Sequence, residues 1–146
     1  MAADSYADSS FLVSLYRKDA NRASADAFMA RARPALGLSH LNRIELRNAL
    51  RNATSFGEIT EPECRAAFRQ IEHDLDEAIL SHVAVDWTHV FRRVDELSET
   101  HAHRGGQRTI DLLHVAIALE CGAGMFLSFD RRQRRLAAAV GLKVRP

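Results

Sequence analysis

The apolar positions fall into short clusters, and their spacing switches between the helical and the extended period. Phe11, Leu12 and Leu15 share one helical face, so Ser9 to Arg17 predicts a helix directly after a short strand at Tyr6-Ala7-Asp8. Ala25, Phe28 and Met29 mark a second helix from Asn21 to Arg33, ended by Pro34. Ala35 to Leu38 predicts a short buried strand. Ser39 is placed to cap a third helix, carried through Ile44, Leu46 and Leu50 to about Ala53 and broken at Phe56-Gly57. Thr60-Glu61-Pro62-Glu63 joins a Thr-x-x-Glu capping box to a proline in the first turn, and Phe68, Ile71, Leu75 and Ile79 continue at spacings of three and four. His82 to Asp86 alternates as a strand does, and Val90, Phe91, Val94 and Leu97 mark another helix. After the loop from His103 to Gln107, Ile110 to Cys121 is apolar almost all round, which predicts a buried helix ended by Gly122. Met125 to Phe129 is a continuous apolar strand. Asp130 opens a basic helix to Val140, and Leu142 to Val144 predicts a last edge strand.

Short apolar strands separated by helices predict a three-layer α/β/α domain with a short, mainly parallel central sheet. The 146 residues hold no internal repeat and no Ser/Gly/Pro-rich linker, so the expectation is one domain over 1–146. A chain 47% hydrophobic and 27% charged is composed as globular proteins are, which excludes disorder. No apolar run approaches the ~18 residues of a membrane span, and the N-terminus lacks the basic and apolar regions of a secretory signal. The expected location is therefore the cytoplasm, with no membrane partner. Two cysteines, Cys64 and Cys121, make neither a disulfide framework nor a zinc site, and both read as small buried apolar residues.

The net charge of +1 conceals a pattern. Residues 58–99 carry 11 acidic against 4 basic groups, while residues 100–146 carry 8 basic against 3 acidic, so a local basic face exists on a neutral chain. Of the 20 basic residues 18 are arginine, the side chain suited to bidentate phosphate contact, although genome composition explains such an excess equally well.

In a doubly wound sheet, ligands bind at the carboxyl ends of the strands. Asp8 and Asp130 each follow a predicted strand, so both project from that edge. Glu45 lies within the third helix between Ile44 and Leu46, and Asp111 stands in the first turn of the most apolar helix. Each has a structural explanation when taken alone. Asp130 and Asp8 can cap helices, Asp111 can answer a helix dipole, and Glu45 can pair with Arg47 or Arg51. Taken together, four separated acids in semi-buried positions point to a cation they share, because a lone buried carboxylate is costly.

The segments Tyr-Ala-Asp-Ser-Ser-Phe-Leu-Val-Ser-Leu-Tyr at 6–16, Ile-Glu-Leu-Arg-Asn-Ala-Leu at 44–50, Arg-Thr-Ile-Asp-Leu-Leu-His-Val-Ala-Ile-Ala-Leu at 108–119 and Phe-Leu-Ser-Phe-Asp-Arg at 126–131 resemble the acidic motifs of PIN domains, nearest to the VapC-like toxins of bacterial toxin–antitoxin pairs. The resemblance covers nearly the whole chain. It implies a PIN-like α/β/α fold and a Mg²⁺- or Mn²⁺-dependent endoribonuclease, with Asp8, Glu45, Asp111 and Asp130 as its acidic site. Ser9 and Ser128 match hydroxyl positions that support metal, water or a carboxylate. It also implies a small antitoxin protein as partner and a homodimer. The chemistry agrees: carboxylates are hard oxygen ligands, and two ions ~3.5–4 Å apart can activate water for phosphodiester cleavage. Asp8 and Asp111 are the expected direct ligands; Glu45 and Asp130 complete the site.

Arg131, Arg132, Arg134 and Arg135 follow Asp130 and either track an RNA backbone or form a solvated helix face. Arg104 and Arg108 precede Asp111 and either neutralise the scissile phosphate or pair with the acids. His114, one turn after Asp111, reads first as a buried, hydrogen-bonded histidine, with a supporting role at the site as the second reading. Phe11, Leu15, Phe28 and Met29 read as core, or as a groove filled by an antitoxin helix or a dimer partner. Two functional alternatives stand beside the nuclease. Another metal-dependent phosphohydrolase is one, although Asp8 is followed by Ser9-Ser10 and not by a second aspartate two residues on. A non-catalytic RNA-binding module is the other.

Overall fold

A computed structural model describes residues 3–146. Among these, five strands form one all-parallel sheet: β1 (Ser5–Ala7), β2 (Leu36–Leu38), β3 (Leu80–His82), β4 (Met125–Leu127) and β5 (Lys143–Arg145), in the order β3-β2-β1-β4-β5. The connecting helices are α1 (Ser9–Tyr16), α2 (Arg22–Ala32), α3 (His40–Ser55), α4 (Glu61–Asp76), α5 (Trp87–His101), α6 (Thr109–Glu120) and α7 (Arg131–Ala139), with a 3-10 turn at Ala102–Arg104.

Side chains alternate across the strands, and the central strands β1 and β4 feed a core on each face of the sheet. Ala7, Leu36, Leu38 and Leu127 pack against α1, α2, α3 and α4 on one face. Tyr6 and Phe126 pack against α5, α6 and α7 on the other. The result is the expected three-layer α/β/α architecture, with the most apolar strand, β4, in the interior of the sheet and the polar strands β3 and β5 on its edges. Helix α6 is buried on most of its circumference, as its composition predicts. Among the described residues no helix is long and apolar enough to cross a membrane.

The strand expected at His82 to Asp86 lies earlier, at Leu80–His82, in register with Leu36–Leu38. The cause is the end of α4 at Asp76. Ala78 takes a left-handed conformation (φ 58°) that reverses the chain, leaves Ile79 exposed and buries Leu80. Val83 still pairs with Leu38 through one backbone bond of 3.0 Å, but Asp86 has become the cap of α5, accepting from His89 N. Ile44, expected on the inner face of α3, is 66% exposed, and Leu46 and Leu50 alone hold that helix to the core at these positions. The last strand runs at Lys143–Arg145, on the edge as expected.

The chain lays β2 and β3 to one side of β1 and returns to place β4 and β5 on the other. The crossovers therefore diverge between β1 and β4. The carboxyl ends of these two strands therefore flank the switch point, where open α/β sheets take their ligands in a crevice.

Candidate metal and RNA site

β1 ends at Ala7, and Asp8 stands at the switch point as the N-cap of α1. Its backbone N–H donates to Leu127 O at 3.0 Å, tying it to β4. Its side chain is almost entirely buried and accepts three hydrogen bonds. Oδ1 takes Phe11 N at 3.1 Å and Ser10 Oγ at 2.7 Å; Oδ2 takes Ser128 Oγ at 2.5 Å. Burial pushes this carboxyl above the usual range, against the pull of those donors and of His114 nearby. Ser128, at the end of β4, also accepts from Asp130 N at 3.0 Å.

The first turn of α3 is fixed by a capping box between Ser39 and Asn42, and Asn42 Nδ2 donates to Ala7 O at 2.9 Å. One turn further on, this places Glu45 beside Ser9. Glu45 Oε1 accepts Ser9 Oγ at 2.6 Å and a short hydrogen bond from His114 Nε2. Burial alone would raise the Glu45 carboxyl. The His114 hydrogen bond and charge, the Ser9 hydroxyl and the charge of Arg108 outweigh it and hold Glu45 below its ordinary value.

Asp111 is buried in the first turn of α6. Its Oδ2 meets Arg108 Nε at 2.9 Å, and its Oδ1 meets Arg108 Nη2 at 3.1 Å and Gln133 Nε2 at 3.2 Å. Asp130 caps α7 through Gln133 N at 3.0 Å, and its Oδ2 lies 3.7 Å from Arg108 Nη2. Three of the four acids that the sequence singled out share one network, and Glu45 is held separately beside it. Ser128 links Asp8 to Asp130, Gln133 and Arg108 link Asp130 to Asp111, and His114 on α6 and Ser9 on α1 hold Glu45.

The flanking arginines divide. Arg108 is paired with the acids, and its guanidinium remains 58% exposed. Arg134 Nη1 donates to Ser128 O at 2.7 Å, just past the end of β4. Arg131 and Arg132 are exposed on the first turn of α7, and Arg104 is exposed in the 3-10 turn; among the described residues none of the three bonds to the acids. Sequence reasoning missed Ser10, Gln133 and Tyr6. Gln133 had a partial signal, its capping-box spacing from Asp130, but its amide donates to Asp111 and does not return to the cap. Of the cysteines, Cys64 is buried, and burial pushes the Cys121 thiol up, away from reactivity.

Among the described residues, no three acidic, histidine or cysteine side chains converge as a finished metal centre. Arg108 is the cation that the acids now share. The donor chemistry nevertheless suits a hard divalent ion. Glu45 Oε2 accepts no hydrogen bond among the described residues and is not sealed from solvent. Gln133 Oε1, beside Asp111, is buried without a hydrogen-bond partner. An orphaned amide oxygen next to carboxylates is a hard-oxygen donor set of the kind that suits a divalent cation such as Mg²⁺ or Mn²⁺.

Residues 5–139 match the PIN domain family, with which the three-layer fold agrees; the chain belongs to the PIN domain family. Among solved structures it is similar to VapC20 of Mycobacterium tuberculosis, described as a sarcin-ricin loop cleaving toxin, at 20% identity and TM-score 0.65, covering 97% of this chain and 99% of that one. It is also similar to PAE2754 from Pyrobaculum aerophilum, at 20% identity and TM-score 0.63, covering 99% and 90%. FitAcB from Neisseria gonorrhoeae shares the fold at 13% identity and TM-score 0.59, covering 97% and 96%. No curated protein matches the chain by sequence.

Proposed function

We propose that this chain is a divalent-metal-dependent endoribonuclease, a cytoplasmic single-domain toxin held inactive by a small antitoxin protein. The observation that carries the reading is the linkage of Asp8, Asp130 and Asp111 through Ser128, Gln133 and Arg108, with Glu45 held by Ser9, the chain neighbour of Asp8, and by His114 of the helix that carries Asp111. Asp8, Asp111 and Glu45 would hold Mg²⁺ or Mn²⁺, with Asp130 and Gln133 completing the site. Such an ion supplies a water of lowered pKa and neutralises charge on the scissile phosphate. Ser128 and Ser10 hold Asp8 in a single rotamer, and Ser9 does the same for Glu45. Arg108, exposed and carried at the N-terminus of α6, would be free to meet an RNA phosphate where a metal ion took over its charge among the acids. Arg131 and Arg132 extend that track along α7, with Arg134 at its inner end and Arg104 in the 3-10 turn.

An acidic amphipathic segment of an antitoxin suits the groove of ≈ 420 Å³ whose lining includes Leu15, Ile59 and Ala66 with the cations Arg17, Lys18 and Arg22. Exposed Ile44 and Phe91 offer apolar surface for the homodimer that the reading includes.

The test is cleavage of RNA by the purified, partner-free chain with Mg²⁺ or Mn²⁺. EDTA and the Asp8→Asn and Asp111→Asn variants are the controls. Cleavage abolished by all three is the expected result. Folded protein that binds RNA and cleaves none overturns the reading in favour of a non-catalytic RNA-binding module.

A further inference from the structure

We propose that Tyr6 and His114 are positioning residues that present Glu45 with one carboxylate oxygen withdrawn and the other free to act. The inference rests on the metal-dependent nuclease reading and adds to it residues outside the acidic set. An ionised carboxylate only accepts hydrogen bonds, so in the contact with Glu45 Oε1 it is His114 Nε2 that carries the proton. The other ring nitrogen, Nδ1, meets Tyr6 Oη at 2.9 Å. Tyr6 Oη lies in turn 3.0 Å from Ser39 Oγ, the cap of α3, and Glu45 stands on that same helix. The chain of contacts is therefore a closed circuit. It leaves α3 at its cap, crosses β1 through Tyr6 and α6 through His114, and returns to α3 at Glu45.

Both members of the relay are buried: Tyr6 is 0% and His114 2% exposed. An imidazole among Leu112, Val115 and Ala116 is a poor choice for packing alone, because leucine would fill such a position without polar atoms to satisfy. Here both nitrogens are satisfied, and one of them ends on a carboxylate of the candidate centre. With Ser9 on the same oxygen, the circuit takes up Oε1 and leaves Oε2 alone for a cation or a water. Partners placed behind a ligand in this way orient it, and removing them typically costs about 10–100-fold in metal affinity or activity.

The experiment compares Tyr6→Phe, His114→Leu and His114→Gln with the wild type. Mn²⁺ binding is measured by calorimetry without RNA, and kcat and KM for RNA cleavage are measured separately. Tyr6→Phe removes one oxygen and keeps the ring against Phe126, so it tests the relay even where His114→Leu folds poorly. Tyr6→Phe and His114→Leu should each weaken Mn²⁺ binding and lower kcat about 10–100-fold with KM unchanged. His114→Gln, whose amide keeps a donor toward Glu45, should recover most of the loss. Variants that lose only thermal stability, with wild-type Mn²⁺ affinity and kcat, reduce the relay to core structure and overturn the proposal. A wild type that neither binds Mn²⁺ nor cleaves RNA overturns the nuclease reading and this inference with it. A wild type that does both, matched by its variants, overturns the positioning role alone.

Discussion

Replacing Asp8 by Asn should make the metal-free protein more stable while abolishing cleavage. The exchange keeps the side chain's volume and removes its charge. Asp8 is 3% exposed and held by Ser128, Ser10 and Phe11 N. Hydrogen bonds to a charged acceptor contribute about 1.5–3 kcal/mol each, against a burial penalty of several kcal/mol for the ion. The carboxyl nevertheless sits above its ordinary value, so burial wins the contest. The charge on Asp8 therefore carries a net cost at neutral pH, which the amide of asparagine does not. The sign with pH follows. The folded pKa is raised, so the stability this group contributes is complete below its unfolded value of 3.8 and is lost as pH climbs through the folded value. The advantage of Asp8→Asn should therefore grow with pH. Scanning calorimetry in EDTA should show the variant melting higher than the wild type at neutral pH, with the gap closing as the pH is lowered. Mg²⁺ acts in the other direction. An ion at 100 times its Kd adds about 2.7 kcal/mol to the wild type and little to a variant that has lost a ligand. A variant less stable than wild type in EDTA, or an equal response of both to Mg²⁺, would refute this account.

Further outcomes follow from other contacts. Arg131→Ser combined with Arg132→Ser should lower the slope of log RNA affinity against log salt by about 1–2 and leave the melting temperature unchanged, measured by a binding titration over a salt series. Tyr16→Phe removes the 2.7 Å hydrogen bond to buried Asp74, leaving that carboxylate with Gln70 alone, and should cost about 1–3 kcal/mol in urea unfolding. Gly37→Ala would put a Cβ 2.7 Å from Val83 Cγ1 between β2 and β3, and should cost about 1–3 kcal/mol. Adding Val83→Ala should recover much of that loss in a double-mutant cycle.

The elements legible in the sequence were those with punctuation. Pro34, Ser39, Thr60 and Gly122 each stop or start a helix where the chain says so, although Thr60 caps α4 without the reciprocal bond from Glu63 that its box spacing suggests, and β1 and β4 announce themselves by apolar residues followed closely by an acid. β3 was misplaced because its signal is tertiary. Nothing local in Ala78 reveals a left-handed turn, and three residues paired with Leu36–Leu38 are too few to outweigh the alternation beyond them. The acids stood out because a carboxylate inside an apolar run is conspicuous. Tyr6, Ser10 and Gln133 did not, since tyrosine in a strand and polar residues near helix starts are ordinary. Their partners lie 108, 2 and 22 residues away in the chain, and only folding brings the distant ones together.

Asp8 and Asp130 each begin a helix, and this has a consequence for how such a domain can decay. A drift to alanine at either position would cost the protein its activity and a helix start together, at about 1 kcal/mol for the cap. Asparagine caps as well as aspartate does and surrenders only the charge. A lineage released from selection for cleavage would therefore lose its acids first to asparagine, leaving a folded, silent copy still able to occupy a partner.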